Sequence, residues 1–240
     1  MVELINFKVQ IDLTDFTLII PSVSVGNVGQ LTVDLLISTH GFKRYATIWH
    51  PAIIPCVGTD PFANRSADVC TASELYANEN LKVAVIQFRS IVEPKFSKIF
   101  HEALREEIKK LQFKNVVLLT STYSYERHDI ESPEFRYIGD KNVMELCEIN
   151  VQEMKLPGVD NHVIEGTGYA FFLYNMLKDL IPCVVFLKYT SEGDNRPDAI
   201  RTLEFLTKCL RKLRQSKIMV LKFPPSWEYI FGNPPPIGIY

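Results

Sequence analysis

Short apolar runs alternate with amphipathic stretches along this chain, and the pattern predicts an α/β protein. The predicted strands are Thr17–Ile20, Tyr45–Trp49, Lys82–Phe88, Val116–Leu119 and Cys183–Leu187, and most of them lack polar alternation. Strands without alternation are typical of a sheet that is covered on both faces. We therefore expect a three-layer α/β/α sandwich around a mostly parallel central sheet of about five to seven strands.

Amphipathic stretches that follow several of these strands predict the helices. Val28–Ser38 is apolar on most of its surface and is expected to end at Gly41. The helix that begins at Pro94 has apolar residues at i, i+3 and i+4 spacing, and two more helices are expected at Tyr169–Leu180 and Pro197–Gln215. Strand, helix and strand joined by short links predict right-handed crossovers between parallel strands.

The remaining segments have weaker patterns. Residues 1–15 are mixed in character, and we expect either a mobile segment or a short edge strand. Residues 51–80 carry turn-forming prolines and a glycine and predict a loop, whereas Val143–Met154 predicts a helix. The sequence shows no internal repeat and no dividing linker. We therefore expect one domain at residues 1–232, followed by an extended proline-rich tail at residues 233–240.

Composition narrows the classes of protein. The 240 residues are 47% apolar and 22% charged, and their net charge of -2 argues against a nonspecific nucleic-acid binder. No apolar run approaches the ~18 residues of a membrane span, and Met1–Gln10 lacks the apolar core of a signal peptide. The five cysteines are odd in number and form no C-x-x-C pair, which favours a reducing compartment.

The first strand leads through a glycine-containing loop into a helix, the kind of junction where α/β proteins often bind a ligand. Gly26 and Gly29 allow positive φ or close packing, and Asn27 is placed to cap the helix. Ser24 lies nearby, but the G-x-S-x-G pattern of a serine nucleophile is missing. Because neither G-x-G-x-x-G nor a P-loop is present, a structural turn is favoured over phosphate binding.

A second junction of the same kind follows the last predicted strand. Its loop carries Glu192, Gly193, Asp194 and Asn195. The spacing of its carboxylates is compatible with a divalent cation, but it does not match an EF-hand, so turn formation and helix capping are favoured. In a parallel sheet both junctions lie at the carboxyl edge, so the alternative function is a small-molecule α/β enzyme, hydrolase or phosphorylase-like, that uses residues 21–30 and 191–198.

Other chemistry is not indicated by the sequence. The five histidines are dispersed, and neither H-E-x-x-H nor paired C-x-x-C motifs occur. We therefore predict no catalytic residue, no metal site and no cofactor.

The C-terminal residues differ in kind from the rest. Trp227 and its aromatic neighbours are expected to pack on the body of the protein. Pro234–Pro236 favour an extended strut, because proline can join neither a helix nor a sheet ladder. Ile237, Ile239 and Tyr240 form an apolar end with a free carboxylate. This end either folds back on the body or docks in a pocket of a partner, and we favour docking.

Several blocks of sequence, in order, resemble the proteasome assembly chaperone family over nearly the whole chain. The blocks are PSVSVGNVGQL (Pro21–Leu31), YSYERHD (Tyr123–Asp129), PEFRY (Pro133–Tyr137), SEGDN-x-PDA (Ser191–Ala199) and PPSW-x-x-x-FG (Pro224–Gly232). Matched blocks in a common order are more specific than any single motif. On these residues the chain is identified as a member of that family.

The resemblance implies a fold, partners and an activity. It implies an α/β/α sandwich and a heterodimer with proteasome assembly chaperone 1. It also implies binding to the α-ring subunits of the proteasome during core-particle assembly, which promotes correct ring formation and prevents off-pathway dimers. No catalysis, nucleic acid or membrane is implied, and the expected location is cytoplasmic and nuclear. Family tails that dock on the α ring end in a hydrophobic residue, tyrosine and any residue, whereas here Ile239 is penultimate and Tyr240 is last.

Overall fold

The computed structural model describes residues 4–63, 68–127, 131–143, 151–154, 164–216 and 220–229. Numbered in chain order, its strands are β1 (Ile5–Phe7), β2 (Thr17–Pro21), β3 (Lys43–Ile48), β4 (Val57–Thr59), β5 (Val69–Thr71), β6 (Ser73–Asn78), β7 (Val83–Phe88), β8 (Asn115–Tyr123), β9 (Phe135–Gly139), β10 (Gln152–Glu153) and β11 (Cys183–Thr190). Its α-helices are α1 (Val28–His40), α2 (Ser97–Lys110), α3 (Ala170–Leu177), α4 (Arg196–Cys209) and α5 (Arg211–Arg214).

Nine of the described strands form one mixed sheet in the order β1-β3-β6-β7-β2-β8-β11-β9-β10. The four central strands, β7, β2, β8 and β11, are parallel. Antiparallel pairing extends the sheet through β6, β3 and β1 on one side and through β9 on the other. The predicted α/β class and its parallel centre are confirmed, and the sheet is wider than the expected five to seven strands because of these flanking strands.

Helices cover both faces of the sheet, so the predicted three layers are confirmed. One core contains the buried side chains of α1, α4 and α5, including Leu35, Leu206 and Leu213. The other contains those of α2 and α3, including Leu104 and Leu173. Each central strand is buried on both faces, which explains why its sequence is an apolar run.

Two helix ends test the capping rules. Gly41 adopts the left-handed conformation and donates its backbone N–H to the carbonyl of Ile37, so the predicted end of α1 is confirmed to within two residues. The helix predicted to run to Gln215 is interrupted, because Leu210 has an extended backbone with φ -103° and ψ 109°. Both Leu210 and Leu213 are buried in the same core on either side of this break.

The prediction of a loop at residues 51–80 was wrong at three places, because β4 and β5 form a small two-stranded sheet and β6 joins the main sheet. Residues Ser73–Asn78 form β6, which is buried between β3 and β7 although it contains Glu74. The Glu74 carboxylate accepts hydrogen bonds from Arg44 Nη1 at 2.8 Å and from the Tyr76 hydroxyl at 2.6 Å. A buried charge is tolerated when it is paired and hydrogen-bonded, and such pairing is not visible in a local sequence pattern.

The prediction of a helix at Val143–Met154 was also wrong where the structure describes that segment. Lys141–Val143 is a single 3-10 turn, and Gln152–Glu153 forms β10, which pairs in parallel with β9. Residues 144–150 lie outside the described part of the chain. At the other end of the sheet, β1 confirms the expected edge strand, antiparallel to β3. Within the described residues the structure contains no helix that is both long and apolar enough to span a membrane.

Candidate interaction surface at the carboxyl edge of the sheet

The loop after β2 has the backbone conformation that its glycine predicted. Gly26 has φ 64° and Asn27 has φ 50°, both in the left-handed region that favours glycine and asparagine. Asn27 occupies the N-cap position of α1, but its side chain makes no capping hydrogen bond. A Cβ added to Gly29 would lie 3.2 Å from the Leu119 carbonyl oxygen, so this glycine permits close packing of α1 on β8.

Ser24 is used to hold this loop against the neighbouring strand. Its hydroxyl lies 2.8 Å from the hydroxyl of Ser121 and accepts the Ser121 backbone N–H at 3.1 Å. Ser121 in turn donates its hydroxyl to the Val25 carbonyl at 2.5 Å. The serine that sequence analysis considered as a nucleophile is therefore engaged in a structural hydrogen-bond network.

A third segment, Ile164–Tyr169, completes the arrangement, and sequence analysis did not assign it a role. Ser22 donates its hydroxyl to the Thr167 carbonyl at 3.0 Å and accepts the Tyr169 N–H at 2.9 Å. A Cβ on Gly168, which has φ 59°, would lie 2.1 Å from the Val23 carbonyl oxygen. Gly166 and Gly168, on either side of Thr167, were the sequence signal that could have indicated this close approach. We call Ser22–Asn27, Thr120–Thr122 and Ile164–Tyr169 together the loop junction.

The two junctions singled out in the sequence meet in the structure. A Cβ added to Gly26 would lie 2.5 Å from Cγ of Asn195, which is itself buried. Asn195 donates from Nδ2 to Thr190 Oγ1 at 2.9 Å and to the Ser191 carbonyl at 2.8 Å. The sequence predicted that both loops lie at the carboxyl edge of the sheet, and the structure shows in addition that Gly26 and Asn195 are close together. Hydrogen bonds within the second loop stabilise the position of Asn195.

The other predicted residues of the second loop lie at the surface. Glu192 and Gly193 are exposed, and Gly193 has φ 141° with open space around its Cα. Asp194 accepts from Arg196 Nε at 2.8 Å and from Arg196 Nη2 at 2.6 Å, and this pairing lowers the pKa of its carboxyl group. The expected turn role fits Asp194, which also accepts the Arg196 backbone N–H at 3.1 Å, whereas the N-cap residue of α4 is Asn195 and its side chain makes no capping hydrogen bond.

Beneath this loop lies a buried ionic cluster that the sequence analysis missed. Lys188 is almost fully buried in β11, and its ammonium group contacts Glu134 and lies 3.0 Å from Asp198 Oδ1. Although burial raises the pKa of Asp198, hydrogen bonds from Arg201 and Lys188 outweigh it and lower that pKa to about 2. A lysine at the end of an apolar strand, followed by acidic residues, was the signal that could have indicated the cluster.

The polar groups of this arrangement hold the loops in position. The hydroxyls of Ser22, Ser24 and Ser121 make their hydrogen bonds to one another or to the backbone. His101, which packs on Tyr169 with ring centroids 4.6 Å apart, donates from Nδ1 to the Ser97 carbonyl oxygen at 2.7 Å. Among the residues that the structure describes, no group of three or more potential metal ligands is found.

An apolar surface lies on the same edge of the sheet, beyond β3 and β7. Trp49, Ile54, Ile91, Phe96 and Ile99 are exposed, and the side chains of Trp49 and Ile99 retain 56% and 58% of their accessible area. The segments after β3 and after β7 run side by side, because the Ile54 N–H donates to the Ile91 carbonyl at 3.2 Å and Ile53 pairs with Val92. Ile99 lies in the first turn of α2, which follows the second segment. We call these five residues the apolar shoulder.

The predicted tail site remains a prediction. Trp227 is buried, as expected, and packs near Phe223 with ring centroids 5.7 Å apart. Ile237, Ile239 and Tyr240 lie outside the described residues, as does the boundary between the domain and the tail at residue 232.

Comparison with known proteins places this architecture in a family. The model of the PAC2 family matches residues 18–215. Proteasome assembly chaperone 2 of Xenopus tropicalis is 36% identical over 250 residues, covering 95% of each chain. That of Homo sapiens is 33% identical over 254 residues, covering 95% of this chain and 96% of the human one.

Solved structures agree on the fold. Pyrococcus furiosus PbaA, described as an archaeal homolog of proteasome-assembly chaperone, matches with a TM-score of 0.64 at 16% identity over 85% of this chain and 84% of that one. At that identity the likeness concerns the fold alone. Because the family model spans most of the chain and the identities extend over nearly its whole length, the chain belongs to the PAC2 family.

Proposed function

We propose that this protein is a proteasome assembly chaperone. It pairs with proteasome assembly chaperone 1, and the pair binds the α-ring subunits during core-particle assembly, promotes correct ring formation and prevents off-pathway ring dimers. It acts in the cytoplasm and the nucleus and is not an enzyme. The observation that carries the proposal is the 36% identity over 95% of both chains to a protein named proteasome assembly chaperone 2.

The apolar shoulder supports a role in pairing. Exposed apolar residues that lie together are typical of protein–protein interfaces, whereas isolated ones are ordinary on monomers. Trp49 and Phe96 are of the aromatic type that interfaces enrich. We assign this surface to the contact with chaperone 1, which we expect to bury an area of standard size or larger, about 1,200–2,000 Å² in total.

The tail is assigned to the α ring. Ile237, Ile239 and Tyr240 supply apolar groups, and the terminal carboxylate supplies a charge that a lysine in a pocket between α subunits can bind. The tail follows the folded body in the sequence, so its loss is expected to spare pairing with chaperone 1. The tyrosine is shifted by one position relative to the family tails, so chaperone 1 is expected to supply the larger part of α-ring binding. The loss of α-ring affinity on removing this tail is then smaller.

The proposed absence of catalysis is supported by the loop junction. An enzyme of the hydrolase type would need a serine beside a general base. The hydroxyls of Ser22 and Ser24 instead bind carbonyl oxygens, a backbone N–H and another hydroxyl. These contacts favour a role for residues 21–30 and 191–198 in shaping the surface.

The decisive experiment is affinity purification of the tagged chain from its own cells, followed by native electrophoresis of the captured complexes. We expect chaperone 1 and proteasome α subunits in the same species, and fewer complete α rings after depletion of the chain. Fluorescence of the tagged chain in cytoplasm and nucleus tests the location. Capture of neither partner, together with normal α rings after depletion, would contradict the proposal.

A second experiment separates the two proposed contacts. Deletion of Gly238–Tyr240 is expected to weaken binding to α subunits by about tenfold or more, because burial of one large apolar side chain contributes roughly 1.5–3 kcal/mol. Affinity for chaperone 1, measured by calorimetry on the same preparation, is expected to stay unchanged. Equal α-ring affinity with and without these residues would remove the tail from the interface.

A further inference from the structure

A groove with an apolar lining lies between the first turn of α4 and the segment at residues 220–229. It has a volume of about 650 Å³, and its apolar walls are Pro197, Ile200, Phe223, Pro224, Pro225 and Trp227. Phe223 is exposed, whereas Trp227 is buried. We call this feature the proline groove. It lies on the side of the second loop, away from the apolar shoulder in the fold, and the contacts proposed above do not use it.

The groove combines aromatic rings with an unsatisfied donor. The ring centroids of Phe223 and Trp227 are 5.7 Å apart, with planes inclined at 38°. The indole Nε1–H of Trp227 is buried and has no hydrogen-bond partner among the described residues. A buried N–H without an acceptor is unfavourable, and the carbonyl of a ligand would relieve this. Aromatic-lined grooves of this composition bind extended proline-rich segments, which have low conformational entropy to lose.

The same chain contains such a segment beside the groove. Glu228 belongs to the lining of the groove, and the sequence from there continues through residues 229–233 to Pro234, Pro235 and Pro236. Six residue steps span at most about 20 Å, so the prolines start within reach of the walls. The charged members of the lining are Asp194 and Arg196, which pair with each other, and Glu228, and the remaining members are uncharged, which suits proline rings.

We propose that the proline groove binds the segment Pro234–Pro236 of the same chain. The proline rings pack on Phe223 and Trp227, and a carbonyl of the segment accepts the indole N–H. The groove thereby determines where Ile237–Tyr240 leave the protein. This inference concerns a contact within one chain and does not depend on the proposed role in proteasome assembly.

Because the proline segment is covalently linked to the groove, a weak contact is sufficient to keep it docked. A short flexible link gives an effective concentration in the millimolar range. A free peptide of residues 233–240 that binds the groove with a Kd of about 1 mM or tighter therefore implies that the tethered segment is docked at least half of the time. A Kd weaker than about 10 mM implies that it is mostly undocked.

Trp227 supplies the readout, because the chain has only two tryptophans. In the full chain with Trp49→Phe, acrylamide quenching of the fluorescence reports on Trp227 alone. Adding Pro234→Gly, Pro235→Gly and Pro236→Gly is expected to increase quenching and shift the emission to the red. The free peptide of residues 233–240 is expected to reverse both changes, and the same peptide with three glycines to bind at least about tenfold more weakly.

Phe223→Ser tests the wall without affecting the core, because its side chain is exposed. It is expected to weaken peptide binding about tenfold, as for loss of one buried aromatic contact. Val220→Ser is the matched control, since Val220 is exposed and is not part of the lining.

Identical quenching with prolines and glycines, or a peptide Kd weaker than about 10 mM, would overturn the proposal. Concentration-dependent dimers that vanish in the glycine variant would overturn it in favour of docking between copies.

Discussion

The loop junction and the apolar shoulder lie at the same edge of the sheet and have opposite character. In the loop junction, polar groups are buried and bonded to one another, as in the contact of Ser24 with Ser121 at 2.8 Å. In the apolar shoulder, large side chains such as Ile99 are left in solvent. The region that resembles an enzyme site in sequence is closed within the chain, whereas the region that suggests no chemistry is open to a partner.

The comparison indicates which of the two regions has groups available for binding. Polar residues at a strand–helix junction are evidence of chemistry only when a group remains available to a ligand. Here the hydrogen bonds of Ser22 are directed to Thr167 and Tyr169. The apolar shoulder has no comparable partner among the described residues, and exposed apolar residues that lie together are typical of interaction surfaces.

The largest expected effect is on the loop junction. Gly168→Ala is expected to lower the free energy of unfolding by about 3 kcal/mol or more, because the new Cβ meets the Val23 carbonyl at a left-handed position. Gly41→Ala is the matched control, since Gly41 has a similar φ of 63° and open space around it. Its expected loss is about 1 kcal/mol. Equal midpoints of the two variants in urea unfolding would show that the junction is not tightly packed.

Acid is expected to destabilise the same region through His101. Burial lowers the pKa of His101 to about 4, below the ordinary value of 6.5, so the unfolded chain binds the proton more readily. Stability from this group is complete above pH 6.5 and is lost as pH falls toward 4, by about 3 kcal/mol. Urea unfolding from pH 7 to 4 measures the slope, and His101→Phe is expected to flatten it. An unchanged slope in this variant would place the titration elsewhere.

The apolar shoulder is expected to respond in binding and not in stability. Ile99→Glu introduces a charge on an exposed position of α2, and we expect affinity for chaperone 1 to fall by about tenfold or more. The free energy of unfolding of the isolated chain is expected to change by less than about 0.5 kcal/mol. Val220→Glu, at an exposed site outside the shoulder, controls for added charge. Equal losses from both variants would remove the special role of the shoulder.

The smallest expected effects are stability changes from substitutions in the two loops. Ser24→Ala removes the contacts with Ser121 and is expected to cost about 1 kcal/mol of stability. Asp194→Asn is expected to cost less than about 0.5 kcal/mol, because its ion pair with Arg196 is largely exposed. Denaturant unfolding measures both. A metabolite hydrolysed by the purified protein, with loss of that activity but not of the fold in Ser24→Ala, would instead favour the enzyme alternative.

Sequence alone predicted the features that depend on local chemistry. The central strands, the end of α1 at Gly41 and the position of both glycine-bearing loops at the carboxyl edge follow from apolar runs, glycine conformation and parallel topology. It failed where a distant partner decides the outcome. Glu74 is compatible with a buried strand because Arg44 and Tyr76 bind it, and Lys188 is buried because Asp198 and Glu134 lie beside it. The apolar shoulder was missed because its residues come from two separate segments of the chain and from the start of α2.

The short outer strands of the sheet have a consequence for how the chain avoids aggregation. As described, β1 at one border has three residues and β10 at the other has two. Short border strands offer few unpaired backbone groups on which another sheet can grow. A newly made chain with an exposed apolar shoulder would otherwise risk aggregation through open sheet borders. Intermolecular contact is thus left to side chains, whose packing is specific to the shape of the other protein. Contact through the backbone, which can pair with any strand, is limited.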